Sequence, residues 1–290
     1  MAYGRHQSFY TKNNWINKGI KAIEFDSSLF HSVNSYRKLG IGKNMFLALK
    51  YWLEALNIVI SDKHQYRLTT FGHYIKKYDP ACEKPFTSNL LHFYLTLDEP
   101  INGYDKSHSF YFLFNEYDNR SFSKEELINA VINWDTSLNV RSTSEKTIAK
   151  DIDCLIQTYT KMDKNHPEDI NVSILSKLRL IKKNKDYYTR ISIKRENLSL
   201  EVFYYILLKL FEKNNSEFLE LDIFENSEMS PGRLFNMTRI DIIDEIEELI
   251  SLGYPIVISR TNNLDTVSIN SPIRSEEFIE NCFINGGVHG

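Results

Sequence analysis

Leu39-Gly40-Ile41-Gly42-Lys43-Asn44-Met45 opens the stretch on which the reading of this chain turns. Two glycines stand directly before a run in which Met45, Leu49, Trp52 and Leu56 recur at i, i+4, i+7 and i+11. That spacing places the four on one face of an α-helix, and Phe46 and Leu53 widen the face. The other side presents Lys43, Asn44, Leu47, Lys50, Tyr51 and Glu54. The period then shortens. Asn57-Ile58-Val59-Ile60 reads as a strand, Ser61-Asp62-Lys63-His64-Gln65 as a polar turn, and Tyr66-Arg67-Leu68-Thr69 as the returning strand. Thr70 to Ile75 starts a further helix.

Upstream, Trp15, Gly19, Ala22 and Ile23 recur at helical spacing, and Leu29, Phe30 and Val33 suggest a second short helix. Helix, helix, long helix and a ribbon with a basic tip is the order of a winged helix. Residues 1–80 are therefore expected to form a basic winged-helix-like module that binds DNA. Asp79-Pro80 breaks the pattern. Residues 81–120 read as an aromatic helical connector, with a buried helix around Leu90–Leu97 and a helix or strand over His108–Tyr117.

Residues 121–195 read as a second helix-turn-helix-like module. Ser123-Lys124-Glu125-Glu126 is a capping box, Ser144 caps a second helix after a break at residues 135–143, and Leu178–Ile193 forms a hairpin. Residues 196–290 read as a third, acidic, winged-helix-like module. Its helices are expected at Leu200–Phe211, Phe218–Phe224 and Thr238–Leu252, with a hairpin from Pro255 to Ile269 around Thr261-Asn262-Asn263, and a mobile tail from Asn285. The last helix carries Asp241, Asp244, Glu245, Glu247 and Glu248, which repel phosphates, so this module is expected to contact protein. The fold class expected is mainly α with small β-hairpins, as tandem winged-helix or helix-turn-helix-like modules.

The 290 residues carry 35 Lys and Arg against 38 Asp and Glu, a net charge of −3. That near-balance hides a segregation: residues 1–80 hold 12 cations against 5 acids, leaving 23 against 33 for the rest. Segregation of this kind points to an anionic partner for the N-terminal part, or to attraction between the two halves. No apolar run approaches the roughly 18–20 residues of a membrane span. The first residues lack the apolar core of a signal peptide. Cys82, Cys154 and Cys282 are too scattered for a zinc ribbon or disulfide framework, so a reducing cytoplasm is expected.

Gly40-Ile41-Gly42-Lys43-Asn44 is not a nucleotide-binding loop, because Arg37 stands where the first glycine is needed and Asn44 where Ser or Thr is needed. No nucleotide is expected. A helix N-terminus beside Arg37, Lys38 and Lys43 still suits a DNA phosphate, unless the glycines serve only a tight turn. Asn44, Lys50 and Tyr51 would face base edges, while Lys63 and Arg67, with His64, would touch the backbone at the ribbon tip. Asp79, Glu83, Lys84 and His92 form the densest set of catalytic candidates. Asp79 and Glu83 could hold Mg²⁺ or Mn²⁺, and with His92 could activate water against a phosphodiester. Equally, Asp79 could cap a turn and His92 could be a satisfied core histidine.

Several short motifs occur together in order: His6-x-Ser8-Phe9-Tyr10, Trp15-x-x-Lys18-Gly19, Leu39 to Met45, Tyr51-Trp52, Thr70-Phe71-Gly72, Tyr78-Asp79-Pro80, Leu90-Leu91-His92 and Phe114-Asn115-Glu116. In these the chain resembles the family of unknown function encoded beside DNA phosphorothioation genes, which includes the SspB-like components of the Ssp defence system. The resemblance covers most of the chain and is strongest over residues 6–120. It implies a part in replacing a non-bridging phosphate oxygen of DNA with sulfur, an anti-phage mark, and a link to DNA nicking. Its implied partners are a cysteine desulfurase, an ATP-pyrophosphatase-type sulfur carrier and an ATPase. Positions matching its motifs with usable chemistry are His6, Lys18, Lys43, Asn44, Asp79, His92 and Asn115. Phe110–Phe114 lacks the Trp residues the pattern leads one to expect. The alternative is a non-enzymatic transcription regulator, a DNA-binding adaptor or a protein scaffold.

Overall fold

Side-chain caps set several of the helix starts. The Ser123 hydroxyl accepts from the Glu126 amide at 3.2 Å, and the Glu126 carboxylate accepts from the Ser123 amide at 2.6 Å. Thr238 and Asp241 repeat this exchange further along. The computed structural model describes residues 3–97, 108–138, 143–160, 172–261, 264–270 and 273–286. Among them are twelve α-helices and three small antiparallel sheets.

Helices α1 (Asn13–Phe25) and α2 (Lys43–Ala55) are joined by 3₁₀ turns at Leu29–His31 and Val33–Leu39. Strands β1 (Val59–Asp62) and β2 (Gln65–Leu68) pair as a ribbon that leads into α3 (Thr70–Tyr78). Gly19 lets α1 approach α2, since a Cβ there would lie 2.4 Å from Leu53 Cδ1. Then come α4 (Pro85–Leu95) and α5 (His108–Tyr111), which runs into a π-helical turn over Phe112–Glu116. Strand β3 (Ser121–Ser123) precedes α6 (Lys124–Ser137) and α7 (Glu145–Tyr159), and a 3₁₀ turn at Ile174–Leu178 leads to β4 (Ile181–Asn184) and β5 (Tyr187–Arg190). The last stretch holds α8 (Leu200–Asn214), β6 (Phe218–Glu220), α9 (Leu221–Asn226), α10 (Pro231–Phe235), α11 (Arg239–Ser251), β7 (Ile256–Thr261), β8 (Leu264–Ile269) and α12 (Ser275–Ile284).

The three-stranded sheets run β3-β5-β4 and β6-β8-β7, so in each a short early strand pairs with the last strand of a hairpin. The segment Phe218–Phe224, expected as one helix, divides between β6 and α9. Leu219 is buried between exposed Phe218 and Glu220, the alternation of a strand, and it pairs with Val267. Helix α12 packs on α8 and also on α3. The Phe283 ring lies within 5.5–6.0 Å of Phe71, Tyr74 and Phe86. The Tyr78 hydroxyl donates to the Ile284 carbonyl at 3.0 Å, and Lys84 Nζ to the Gly286 carbonyl at 3.2 Å. Asn285 and Gly286, expected in a mobile tail, are thus held, while Gly287–Gly290, the turn residues Asn262 and Asn263, and residues 139–142 lie outside the described residues. The buried apolar side chains form one connected cluster from Trp15 to Phe283. No described helix is long and apolar enough to cross a membrane.

Candidate nucleic-acid interface

Helix α2 begins without a side-chain cap. Gly40 takes a left-handed backbone, φ 62°, to end the 3₁₀ turn, and Gly42 is the N-cap. Lys43 and Asn44 are exposed on the first turn, so amides of that turn face solvent beside cations. Arg37 is exposed, with its guanidinium 5.7 Å from the Tyr36 ring, and Lys38 is paired to Asp26 at 2.9 Å. On the ribbon, Lys63 and His64 form the exposed tip, and Arg67 lies 3.3 Å from Asp62. Tyr66 anchors the ribbon: it is buried, its hydroxyl donates to Glu54 at 2.9 Å, and Lys50 Nζ stands 5.5 Å over its ring. Burial and then the Glu54 carboxylate push the Tyr66 phenol well above its ordinary range. Lys18 is exposed on α1.

The rest of α2 departs from the sequence expectation. Tyr51 and Glu54, read as an outward face, are 3% and 4% exposed. Residues ahead of α1 cover them. The Trp52 indole donates to the Phe9 carbonyl at 2.7 Å, Arg5 reaches Glu54 at 3.2 Å, and the His6 ring lies 5.9 Å from Tyr51. The helix is enclosed along most of its length, and its solvated part is the N-terminal turn with half-buried Leu47 and Lys50.

His6, expected at DNA, is fully buried. Its Nδ1 accepts the Ser8 amide at 3.0 Å, so Nε2 carries the proton and donates to Asp151 at 2.7 Å. Asp151 also accepts from the Gly4 amide at 2.7 Å and from the Ser109 hydroxyl. This junction ties the first residues to α7 and α5, and sequence reading passed over it. The signal was a carboxylate on the apolar stripe of α7, flanked by Ile148, Ile152 and Leu155.

Asp79, Glu83 and His92 are not assembled into a site. Asp79 accepts from the Glu83 amide at 2.8 Å, the Lys84 amide at 3.0 Å and the Thr87 hydroxyl at 2.5 Å, which fixes the start of α4. Glu83 points to solvent. His92 Nε2 donates to the Leu234 carbonyl at 2.7 Å, and its Nδ1 accepts from the Tyr159 hydroxyl at 2.8 Å. Burial pushes the His92 pKa down to about 4. With the Asp79 oxygens so engaged, Asp79 and Glu83 do not fit a magnesium or manganese ion. The described residues hold no group of three or more His, Cys, Asp or Glu side chains placed to bind a metal. Asn115, another motif position, is buried and joins the Thr96 carbonyl to the Met229 amide.

Two solved structures share this architecture. An SspB crystal structure superposes with a TM-score of 0.84 at 19% identity, covering 98% of this chain and 88% of that one. A magnesium ion-bound SspB crystal structure gives 0.80 at 18% identity, covering 99% and 95%. At such identities the likeness is one of fold. The sequence matches no curated protein. The family described as Protein of unknown function (DUF4007) matches residues 3–283, and the chain belongs to that family.

Proposed function

We propose that this protein is the DNA-binding component of a bacterial phosphorothioate modification and anti-phage system, acting in the cytoplasm. The observation that carries the reading is where the N-terminal cations stand. Arg37, Lys43, Lys63 and His64 face solvent at the start of α2 and on the ribbon tip. The described Lys and Arg ion pairs of residues 1–80 (Arg5–Glu54, Lys38–Asp26, Arg67–Asp62, Lys76–Glu24) stay within that segment, while the buried His6–Asp151 pair crosses to the remainder. A surface so charged, built beside open helix amides, suits a phosphate backbone. Lys18, Lys38, Asn44, Lys50 and Arg67 border it, whereas His6 and Tyr51 would support it from inside. The likeness to SspB agrees with a phosphorothioation setting, in which a cysteine desulfurase, a sulfur carrier and an ATPase would be the partners.

The sheet orders β3-β5-β4 and β6-β8-β7, each with helices between the short strand and the hairpin, support winged-helix-like modules over 121–195 and 196–290, after the basic 1–80 and the connector 81–120. Changing Lys43 and Lys63 together to Glu is expected to weaken duplex binding about tenfold at low salt in a shift assay. Unchanged affinity would remove the N-terminal surface from the reading.

Metal-dependent nicking is the finer form of this proposal. It predicts relaxation of supercoiled plasmid by the purified protein with Mg²⁺ or Mn²⁺, and a plasmid bound yet intact with either ion rules it out. The engagement of Asp79 and His92 in the core favours the second reading, a non-enzymatic DNA-binding adaptor or regulator.

A further inference from the structure

A second gathering of cations lies far along the chain. The end of α7, the turn at Ser176–Arg179, the edge strand β4 and residues 191–194 enclose a cleft of about 790 Å³. Arg179, Lys182, Lys183, Lys185 and Lys194 line it, all exposed, and no carboxylate among the described residues does. Among the described residues the four lysines form no ion pair, and Arg179 meets Glu196 only at 3.8 Å between exposed side chains. Like charges held around one concavity raise the local potential and draw an anion toward it.

Two tight turns deliver cations to the cleft. Arg179 and Lys185 sit at φ 55° and 53°, the left-handed region that side chains rarely occupy. They are the cationic residues among the described non-glycine positions of this kind, and both line the same cleft. The fold requires both conformations, Arg179 as the cap that ends the turn at Ile174–Leu178 and Lys185 in the two-residue loop between β4 and β5, and each turn carries a long cation to the rim of the cleft where glycine would fit without strain.

We propose that this cleft binds the phosphodiester backbone of DNA, as a second contact separate from the α2 start and the β1–β2 ribbon. The proposal rests on the DNA-binding reading above and extends it to a path across the middle of the chain. The lysines bind as point charges and track the backbone without reading sequence.

The test is fluorescence anisotropy of the full chain with a labelled DNA duplex over a salt series. Lys182→Gln, Lys183→Gln and Lys194→Gln combined should lower low-salt affinity about tenfold or more. The slope of log K against log salt should become shallower by about 0.9 for each phosphate no longer neutralised. Arg179→Gly should weaken binding while the melting temperature holds or rises, because glycine relieves the left-handed strain. If the wild type and the Lys43/Lys63 variant behave as expected but the cleft variants bind with unchanged affinity and slope, the cleft proposal is wrong and the N-terminal reading stands. Lysines also guard edge strands against pairing. Glutamine variants that aggregate yet keep full affinity would assign them that role and overturn the proposal. A wild type that binds no duplex at low salt overturns both.

Discussion

The sheets β3-β5-β4 and β6-β8-β7 are built to one plan and carry opposite charge. In both, a three-residue strand pairs with the second strand of a hairpin, and the first hairpin residue, Ile181 or Ile256, is 4% exposed. The first hairpin brings Lys182, Lys183 and Lys185 to the surface. Beside the second hairpin stands α11, where Arg195 and Arg260 each pair with a carboxylate, at 2.9 and 2.8 Å, without exhausting the acids. The backbone plan is therefore silent about partners, which are chosen by the charges mounted on it.

The partners of those isoleucines sharpen the contrast. Ile181 pairs with Arg190, and Ile256 pairs with Ile269. Arg190 is buried and donates to Asn236 at 2.7 Å, the Tyr117 carbonyl at 2.6 Å and the Arg233 carbonyl at 3.2 Å. Burial, and then the neighbouring Arg233, pull its pKa down to about 10, so it stays charged at neutral pH. Changing Arg190 to Met would give the first sheet the apolar corner of the second. The result expected is a loss of about 3–5 kcal/mol in chemical denaturation, because the acceptors it leaves behind stay buried. A neutral outcome would make the two corners interchangeable.

His92 lies between the two units, bonded to Tyr159 on α7 and to Leu234 on α10. Its folded pKa of about 4 lies below the ordinary 6.5, so the unfolded chain takes up the proton first as pH falls. The stability it contributes is present above pH 6.5 and is lost as pH falls from there to about 4, by about 3 kcal/mol. Denaturation across that window should show the slope, and His92→Gln should flatten it.

The smallest effect belongs to Glu245 on α11. Burial raises its pKa, Arg195 opposes the rise, and Glu248, Asp244 and Asp241 add to it. A carboxyl with a raised folded pKa weakens the fold as pH climbs past its unfolded value. Glu245→Gln should therefore gain about 0.5 kcal/mol at neutral pH, the gain fading in acid. The same substitution should leave duplex affinity unchanged if the acidic unit stays off DNA.

What could be read beforehand was local. The capping box at Ser123, the Ser144 cap, the stop at Gly253 and the three hairpins each depend on residues within a few positions of one another. Strands β3 and β6 escaped because three residues carry little periodicity and their partners lie some 50–70 positions away. Tyr51 looked exposed because its cover, residues 3–10, comes from outside the helix pattern. The basic cleft was invisible for a related reason. Its turn lysines read as an ordinary polar hairpin, and only folding sets them beside Arg179 and Lys194.

The grip of α12 on α3 has a consequence for synthesis on the ribosome. The Tyr74 hydroxyl reaches the Gly286 carbonyl at 3.4 Å across 212 positions. At about 5–20 residues per second, the rings of Phe71, Tyr74 and Phe86 wait on the order of 10–40 s for Phe283 to emerge. During that interval α3 and α4 carry an open aromatic surface, and a nascent chain that stalls before α12 would offer that surface to chaperones or to its neighbours on the polysome.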